Sequence, residues 1–139
     1  MKKSNLVWIF LMLGMVSAAF GQDKELAVQS SQEEDAVEVY YFHMTRRCAT
    51  CQAVEDETQH ALKKYYGDQL EEGTIIFLPV NLEDESNDKL AESLEVSGQS
   101  LLVVKGDEIV DLTNDGFKYA RSNPDKFYDS IREAIDDMM

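Results

Sequence analysis

The chain has 139 residues, of which 27 are acidic and 13 are basic, and its formal net charge is −14. A surface this acidic repels the phosphates of nucleic acids and the headgroups of anionic lipids, so neither is expected as a partner. Once a short N-terminal segment is set aside, the length is that of about one domain.

The N-terminal segment has the three parts of an export signal. Lys2 and Lys3 form a basic start, residues 6–16 an apolar stretch, and residues 17–21 a small-residue cleavage region;. We therefore predict a signal peptide over residues 1–21 and a periplasmic or secreted mature protein that is not embedded in the membrane. The alternative is an uncleaved helix that anchors the protein in the membrane. It is disfavoured because the apolar stretch is shorter than the roughly 20 residues that a spanning helix needs.

Residues 22–35 are polar and acidic and predict a flexible linker, which leaves a single domain over residues 36–139;. This domain begins with an apolar run over residues 37–42. Because the run is apolar on both faces at its centre, it predicts a strand in the middle of a sheet that is covered on both sides. Apolar residues then recur at three- and four-residue spacing and predict a helix with its C-cap at Gly67.

The rest of the chain predicts two more helices and three strands. A strand over residues 74–82 contains Pro79, which cannot donate to a ladder and so predicts an edge strand. A short helix is predicted to start at an N-cap, Ser86, and to end near Gly98.

A hairpin and a last helix close the domain. Strands over residues 100–105 and 108–113 flank Gly106-Asp107, a two-residue connection typical of a tight turn. Asn123 and Pro124 predict the N-cap and first turn of the final helix. The order β-α-β-α-β-β-α predicts an α/β fold with a central mixed β-sheet flanked by helices on both faces.

The chemistry of the chain centres on Cys48-Ala49-Thr50-Cys51, which contains its only two cysteines. The pair follows the predicted central strand and opens a predicted helix, the place where open α/β sheets carry functional sites. Backbone N–H groups and the positive end of the helix dipole would stabilise a thiolate at Cys48. Arg46 and Arg47 would add two cations beside it. Redox chemistry is therefore the leading hypothesis.

Two other uses of the cysteine pair stay open. An oxidising compartment favours a static disulfide, although a bridge over so short a loop stabilises a fold little. Two soft thiolates with His43 and Met44 nearby could instead hold Cu(I) or As(III), although the neighbouring arginines oppose a cation. The prediction that follows is a redox pair without a bound metal.

His43 is a candidate proton shuttle, because it lies at the end of the predicted central strand within reach of the cysteines. The alternative is a packed, neutral histidine that takes no part in the chemistry.

Over residues 37–139 the chain resembles a thioredoxin-fold protein;. The resemblance rests on the first strand, the CxxC motif, the helix that follows it, and the closing hairpin with its helix. Within that superfamily, residues 40–51 are similar to exported bacterial thioredoxin-like proteins that are named as subunits of nitrophenyl-compound nitroreductases. The resemblance implies that Cys48 is the exposed attacking thiol and Cys51 the buried resolving thiol. It also implies protein thiols or disulfides as substrates and a redox-partner protein. No organic cofactor is implied, because the disulfide itself carries the two electrons.

The chain departs from thioredoxins at three positions. Arg47 replaces the Trp that precedes the first cysteine, and Phe42 stands six positions upstream of that cysteine, where thioredoxins carry a buried carboxylate. Gln99 and Ser100 stand where thioredoxins have a cis-proline, so Gln99 is expected to shape the peptide-facing loop. These departures favour altered partner choice or a slower redox role. They also favour the alternative of a non-catalytic accessory or soft-metal-binding subunit of a larger redox system.

Overall fold

The computed structural model describes residues 35–139, and the predicted signal peptide and all but the last residue of the predicted linker lie outside that range. Its core is a four-stranded sheet in the order β2-β1-β3-β4, with β1 parallel to β2 and all other neighbours antiparallel. The strands are β1 (Val37–His43), β2 (Ile75–Asn81), β3 (Ser100–Lys105) and β4 (Glu108–Asp111). The predicted mixed sheet is confirmed, with β1 at its centre and the Pro79-containing strand at an edge.

Helices cover both faces of this sheet. In the described part of the chain they are α1 (Ala49–Tyr65), α2 (Gly67–Glu72), α3 (Asp88–Ser93), α4 (Thr113–Tyr119) and α5 (Pro124–Asp136), with a 3₁₀ turn at Glu85–Asn87. None of them is both long and apolar enough to cross a membrane. The predicted cap of the last helix is confirmed, because the Asn123 side chain accepts the backbone N–H of Lys126 and Pro124 lies in the first turn;.

Buried side chains form two clusters, one on each face of the sheet, and β1 contributes to both. Val39 and Tyr41 pack toward α1 and α5, whereas Tyr40 and Phe42 pack toward α3. This alternation follows from the two-residue period of a strand. It explains why the β1 sequence is apolar on both faces, and it confirms the predicted α/β arrangement.

Three predicted helix ends are wrong in detail. Helix α3, predicted to end near Gly98, ends at Ser93. The predicted C-cap at Gly67 is instead the first residue of α2, and α1 ends at Tyr65 with Tyr66 as its C-cap. The cap predicted at Ser86 is provided by Asp84, whose carboxylate accepts the Ser86 N–H and starts a 3₁₀ turn before α3.

The last strand is shorter than predicted, and a helix follows it. Strand β4 ends at Asp111, whose carboxylate accepts the N–H of Thr113 at 2.8 Å, and this bond satisfies a backbone donor where α4 begins;. The predicted tight turn is confirmed, since β3 and β4 are joined by Gly106-Asp107 alone and Gly106 has a φ of +57°;.

Gly116 of α4 is expected to tolerate no side chain. A Cβ there would lie 3.1 Å from Val54 Cγ1 and 3.4 Å from the Phe127 ring, and both neighbours are fully buried. Alanine usually stabilises a helix interior, but in this packed position we expect Gly116→Ala to destabilise the protein by about 1–3 kcal/mol, as overpacking does. Denaturant unfolding measures this change.

Gly67→Ala is the matched control, because a Cβ at Gly67 meets nothing within 4 Å. We expect its free energy of unfolding to equal or slightly exceed that of the wild type. A Gly116→Ala protein as stable as the wild type would contradict the close packing of α4 against α1 and α5.

Candidate functional site

The cysteine motif lies where the central strand β1 gives way to α1. Cys48 is the N-cap of that helix, with an extended backbone at φ −77° and ψ 166°. Its carbonyl accepts the N–H of Gln52 at 3.0 Å, and its Sγ accepts the N–H of Cys51 at 3.1 Å. The sulfur therefore replaces the side-chain oxygen of an ordinary N-cap, at the positive end of the helix dipole.

The two cysteines form a disulfide, and their Cα atoms are 5.0 Å apart. They differ sharply in accessibility, because Cys48 is exposed whereas Cys51 is only 3% exposed. A reagent or a partner thiol in solvent can therefore reach Cys48 and not Cys51.

The loop that carries Cys48 is tied to the end of β2. The N–H of Thr45 donates to Glu83 Oε2 at 2.6 Å, and the side-chain amide of Asn81 donates to Thr45 Oγ1 at 3.1 Å. The N–H of Leu82 also donates to the carbonyl of His43 at 2.8 Å. These bonds give the loop a fixed path from the sheet to the helix.

The two arginines that precede Cys48 have different surroundings. Arg47 forms an ion pair with Glu55 of α1, and its Nη2 donates to His43 Nε2 at 2.8 Å. Arg46 is exposed and makes no ion pair with any residue between 35 and 139. The positive charge of Arg47 is thus directed to an internal network, and that of Arg46 to solvent.

The hydrogen bonds of His43 define its tautomer. A guanidinium can only donate, so Nε2 of His43 is the acceptor and Nδ1 carries the hydrogen, which it donates to the Met44 carbonyl at 3.0 Å;. The side chain is 7% exposed. This geometry is that of a packed, neutral histidine, and a proton-shuttle role for His43 stays a prediction.

Tyr41 belongs to the site and was not identified from the sequence. It is fully buried on the α1 side of the sheet, and its hydroxyl donates to the carbonyl oxygen of Cys51 at 2.8 Å. Burial raises the pKa of Tyr41, so it stays protonated and acts as a donor at neutral pH;. Counting back six positions from Cys48 gives Phe42, but Phe42 packs on the opposite face toward α3. Successive side chains of a strand face opposite sides of the sheet, so Tyr41 and not Phe42 faces α1;. This alternation is the sequence signal that could have identified Tyr41.

Gln99 lies immediately before β3, whose first residue, Ser100, pairs with Phe42. No peptide bond between residues 35 and 139 is cis, so the turn at Gln99 is built without the cis-proline of thioredoxins. The Oε1 atom of Gln99 is buried and has no hydrogen-bond partner within that range. A buried acceptor without a partner is unusual in a folded protein.

The described residues offer no cluster of three or more His, Cys, Asp or Glu that could hold a metal ion. Of the additional ligands that the sequence suggested, His43 has both of its ring nitrogens engaged in hydrogen bonds.

The architecture is that of the thioredoxin fold. No family model matches the sequence, and no curated protein matches it. Among solved structures, the chain is similar to Trxlp from Edwardsiella tarda EIB202, with a TM-score of 0.50 and 16% identity over 76% of this chain and 91% of that one. It is also similar to a thioredoxin from Trypanosoma brucei brucei, with a TM-score of 0.44 and 15% identity over 80% and 85% of the two chains. The likeness to Trxlp and the mixed sheet identify the fold class that the sequence predicted.

The bond between Thr45 and Glu83 predicts a pH-dependent stability. Hydrogen bonds from the side chain and backbone of Thr45 lower the pKa of the Glu83 carboxyl. The folded protein therefore binds this proton less readily than the unfolded chain. The stabilisation is complete above the ordinary glutamate pKa of about 4.3 and is lost as the pH falls through the lower folded-state value.

We therefore expect Glu83→Gln to lower the free energy of unfolding at pH 7 and to have a smaller effect below about pH 4. Glu85→Gln is the control, because Glu85 is exposed and its carboxylate accepts no hydrogen bond from residues 35–139. Urea unfolding at a series of pH values measures both variants. A Glu83→Gln effect that is equal at pH 3 and pH 7 would contradict the loop anchor.

Proposed function

We propose that the protein is an exported thiol–disulfide oxidoreductase that acts on protein thiols or disulfides in the periplasm or outside the cell. The observation that carries the proposal is the pairing of an exposed Cys48 at a helix N-cap with a buried Cys51 one turn later. The export pattern of residues 1–21 supports the compartment.

The reaction follows from which sulfur is accessible. In the reducing direction, the Cys48 thiolate attacks one sulfur of a substrate disulfide, that S–S bond breaks, and the first substrate thiolate leaves with the electron pair. Cys51 then loses its proton and attacks Cys48 Sγ, which releases the second substrate thiolate. The substrate gains two electrons and takes up two protons, one from Cys51 and one that Cys48 released to solvent on ionising, and the Cys48–Cys51 disulfide forms. A dithiol-bearing partner protein restores the reduced pair by the same steps, and the oxidising direction is the reverse sequence.

The helix start supports the attacking thiolate. The N–H of Cys51 already points at Cys48 Sγ, and a thiolate accepts such a bond more strongly than a disulfide sulfur does;. Arg46 and Arg47 directly precede Cys48 and add positive charge near the helix start, although Glu55 partly offsets the charge of Arg47. Such an environment lowers the pKa of a thiol and raises its thiolate fraction at neutral pH.

Gln99 and the loop before Cys48 form the surface that a substrate would meet. The Oε1 atom of Gln99 is buried and lacks a donor within the described chain, but the residue as a whole is partly exposed. A rotation of its side chain toward solvent would let the backbone N–H of an extended substrate donate to it. In the loop before Cys48, Met44 and Arg46 are exposed to solvent. This surface supports a peptide substrate with an apolar or acidic residue next to its cysteine.

The second candidate is a non-catalytic accessory or Cu(I)- or As(III)-binding subunit of a larger redox system, as the resemblance to nitroreductase subunits suggests. The absence of a cis peptide bond over residues 35–139 favours it, because the turn differs from that of thioredoxins. The engagement of both His43 nitrogens and the ion-paired Arg47 speak against a metal at the two sulfurs;.

Variants of the two cysteines separate these candidates. With reduced full-length protein and a pair of peptides joined by a disulfide, we expect Cys51→Ser to accumulate a covalent adduct through Cys48, because serine cannot release the mixed disulfide. We expect Cys48→Ser to form no adduct and to lose turnover completely. Mass spectrometry without reductant detects the adduct, and the released peptide thiol measures the turnover.

Adduct formation through Cys51 in the Cys48→Ser protein would contradict the assignment of roles. A wild-type protein that exchanges no faster than a short peptide containing Cys-Ala-Thr-Cys would contradict the oxidoreductase and favour the accessory subunit.

Replacement of Gln99 tests the substrate surface. Gln99→Met removes the unpaired acceptor while keeping the side-chain length, so we expect the free energy of unfolding to rise by about 1 kcal/mol. We expect KM for the peptide substrate to rise several-fold with little change in kcat, because the lost contact is equally present in the ground and transition states. Gln59→Met, two turns beyond Cys51 on α1, is the control and should leave KM unchanged. An unchanged KM in Gln99→Met would exclude Gln99 from the substrate surface.

A further inference from the structure

We propose that Glu55 is a positioning residue for the attacking sulfur, because it holds the Arg47 guanidinium in an internal ion pair and so limits how strongly that cation can stabilise the Cys48 thiolate. This inference rests on the proposed function and concerns the same site.

The first support is the position of Arg47. It directly precedes Cys48 in the chain, and its side chain is long enough to approach the sulfur. In the structure its two terminal guanidinium nitrogens, Nη1 and Nη2, are instead engaged by Glu55 Oε2 and His43 Nε2. Glu55 lies on α1 one helical turn after Cys51, so the carboxylate is built into the same helix that carries the disulfide.

The second support is burial. The side chains of Arg47 and Glu55 are 27% and 13% exposed, so water screens this pair less than a surface ion pair;. The charge of Arg47 also acts on the buried Tyr41. Burial raises the pKa of Tyr41 and the positive charge of Arg47 opposes that rise, and the Tyr41 hydroxyl is bonded to the carbonyl of Cys51.

The third support is the set of other charges around Cys48. His43 is neutral in this hydrogen-bond arrangement, Arg46 points to solvent, and Glu83 is bonded to the N–H of Thr45. Glu55 is therefore the carboxylate that contacts the cation nearest in sequence to the reactive sulfur.

The consequence concerns the reactivity of the reduced protein. An arginine left free beside Cys48 would stabilise the thiolate strongly, and a very stable thiolate is a poor nucleophile. With Glu55 in place, the thiolate competes against a carboxylate for the same guanidinium. Glu55 thereby keeps the acidity of the thiol moderate, and the best attacking thiol has a pKa near the ambient pH.

The test is the rate at which iodoacetamide alkylates Cys48 in the reduced full-length protein between pH 5 and pH 9, with mass spectrometry to identify the modified cysteine. We expect Glu55→Gln to lower the pKa of Cys48 and to raise the alkylation rate at pH 6 by about threefold, since a larger thiolate fraction outweighs the loss in nucleophilicity. Asp56→Asn is the matched control, because it removes the same charge from an exposed neighbour on the same helix. We expect its rate to stay within about 1.5-fold of the wild type at ordinary ionic strength.

A double-mutant cycle shows whether Glu55 acts through Arg47. In an Arg47→Gln background, we expect Glu55→Gln to change the rate by no more than Asp56→Asn does. Glu55→Asp keeps the charge but shortens the side chain, so an intermediate rate is expected, and it serves as the second variant if Glu55→Gln does not fold. Equal effects of Glu55→Gln and Asp56→Asn, or an effect that persists without Arg47, would overturn the proposal.

Failure of this inference is distinguishable from failure of the proposed function. Alkylation needs no partner protein, so it reports the Cys48 environment alone. Exchange with the peptide disulfide reports the oxidoreductase, and it can proceed whether or not Glu55 restrains Arg47.

Discussion

The start of α1 at Cys48 is the constraint on which the rest of the site depends. Because the helix begins there, a backbone N–H points at the Cys48 sulfur, and the helix geometry buries Cys51 one turn later;. The fold fixes this start from both sides. Strand β1 is a central strand of the sheet and ends at His43, shortly before the helix. The loop between them is tied to the end of β2 by hydrogen bonds among Thr45, Asn81 and Glu83. One sulfur is thus presented to solvent while its partner is withheld.

Several polar side chains surround this helix start, and residue 42, where the resemblance to thioredoxins implies a buried carboxylate, is Phe. Tyr41 donates to the carbonyl of Cys51, and Glu55, Arg47 and His43 form a hydrogen-bonded series that ends at the Met44 carbonyl. Such networks hold their members in one arrangement when every group has a partner. Tyr41 stays protonated and cannot serve as a base. Under the proposed function, the proton of the Cys51 thiol would therefore leave by another route.

Features with a local cause could be predicted from the sequence, and those set by tertiary contacts could not. The apolar run of β1, the edge strand with Pro79 and the cap at Asn123 each depend on a few neighbouring residues, and the structure confirms them. Helices α2 and α4 are too short to show a clear periodic pattern in the sequence. Helix α4 also packs closely against α1 and α5 at Gly116, and that tertiary contact could not be predicted from sequence spacing. Within the site, the cysteines were evident. The pairing of Arg47 with Glu55 was not, because it joins a loop to a helix face at a spacing that no helix rule covers.

The central claim is that the Cys48–Cys51 disulfide is a working redox pair and not a static bridge. The most direct test is the reduction potential of this disulfide. It is measured by equilibrating the full-length protein with dithiol buffers of known potential and quantifying its dithiol and disulfide forms. A bridge exposed at a helix N-cap is predicted to have a potential between roughly −120 and −270 mV, the range of catalytic dithiols. A value below about −300 mV, typical of structural disulfides, would contradict the claim.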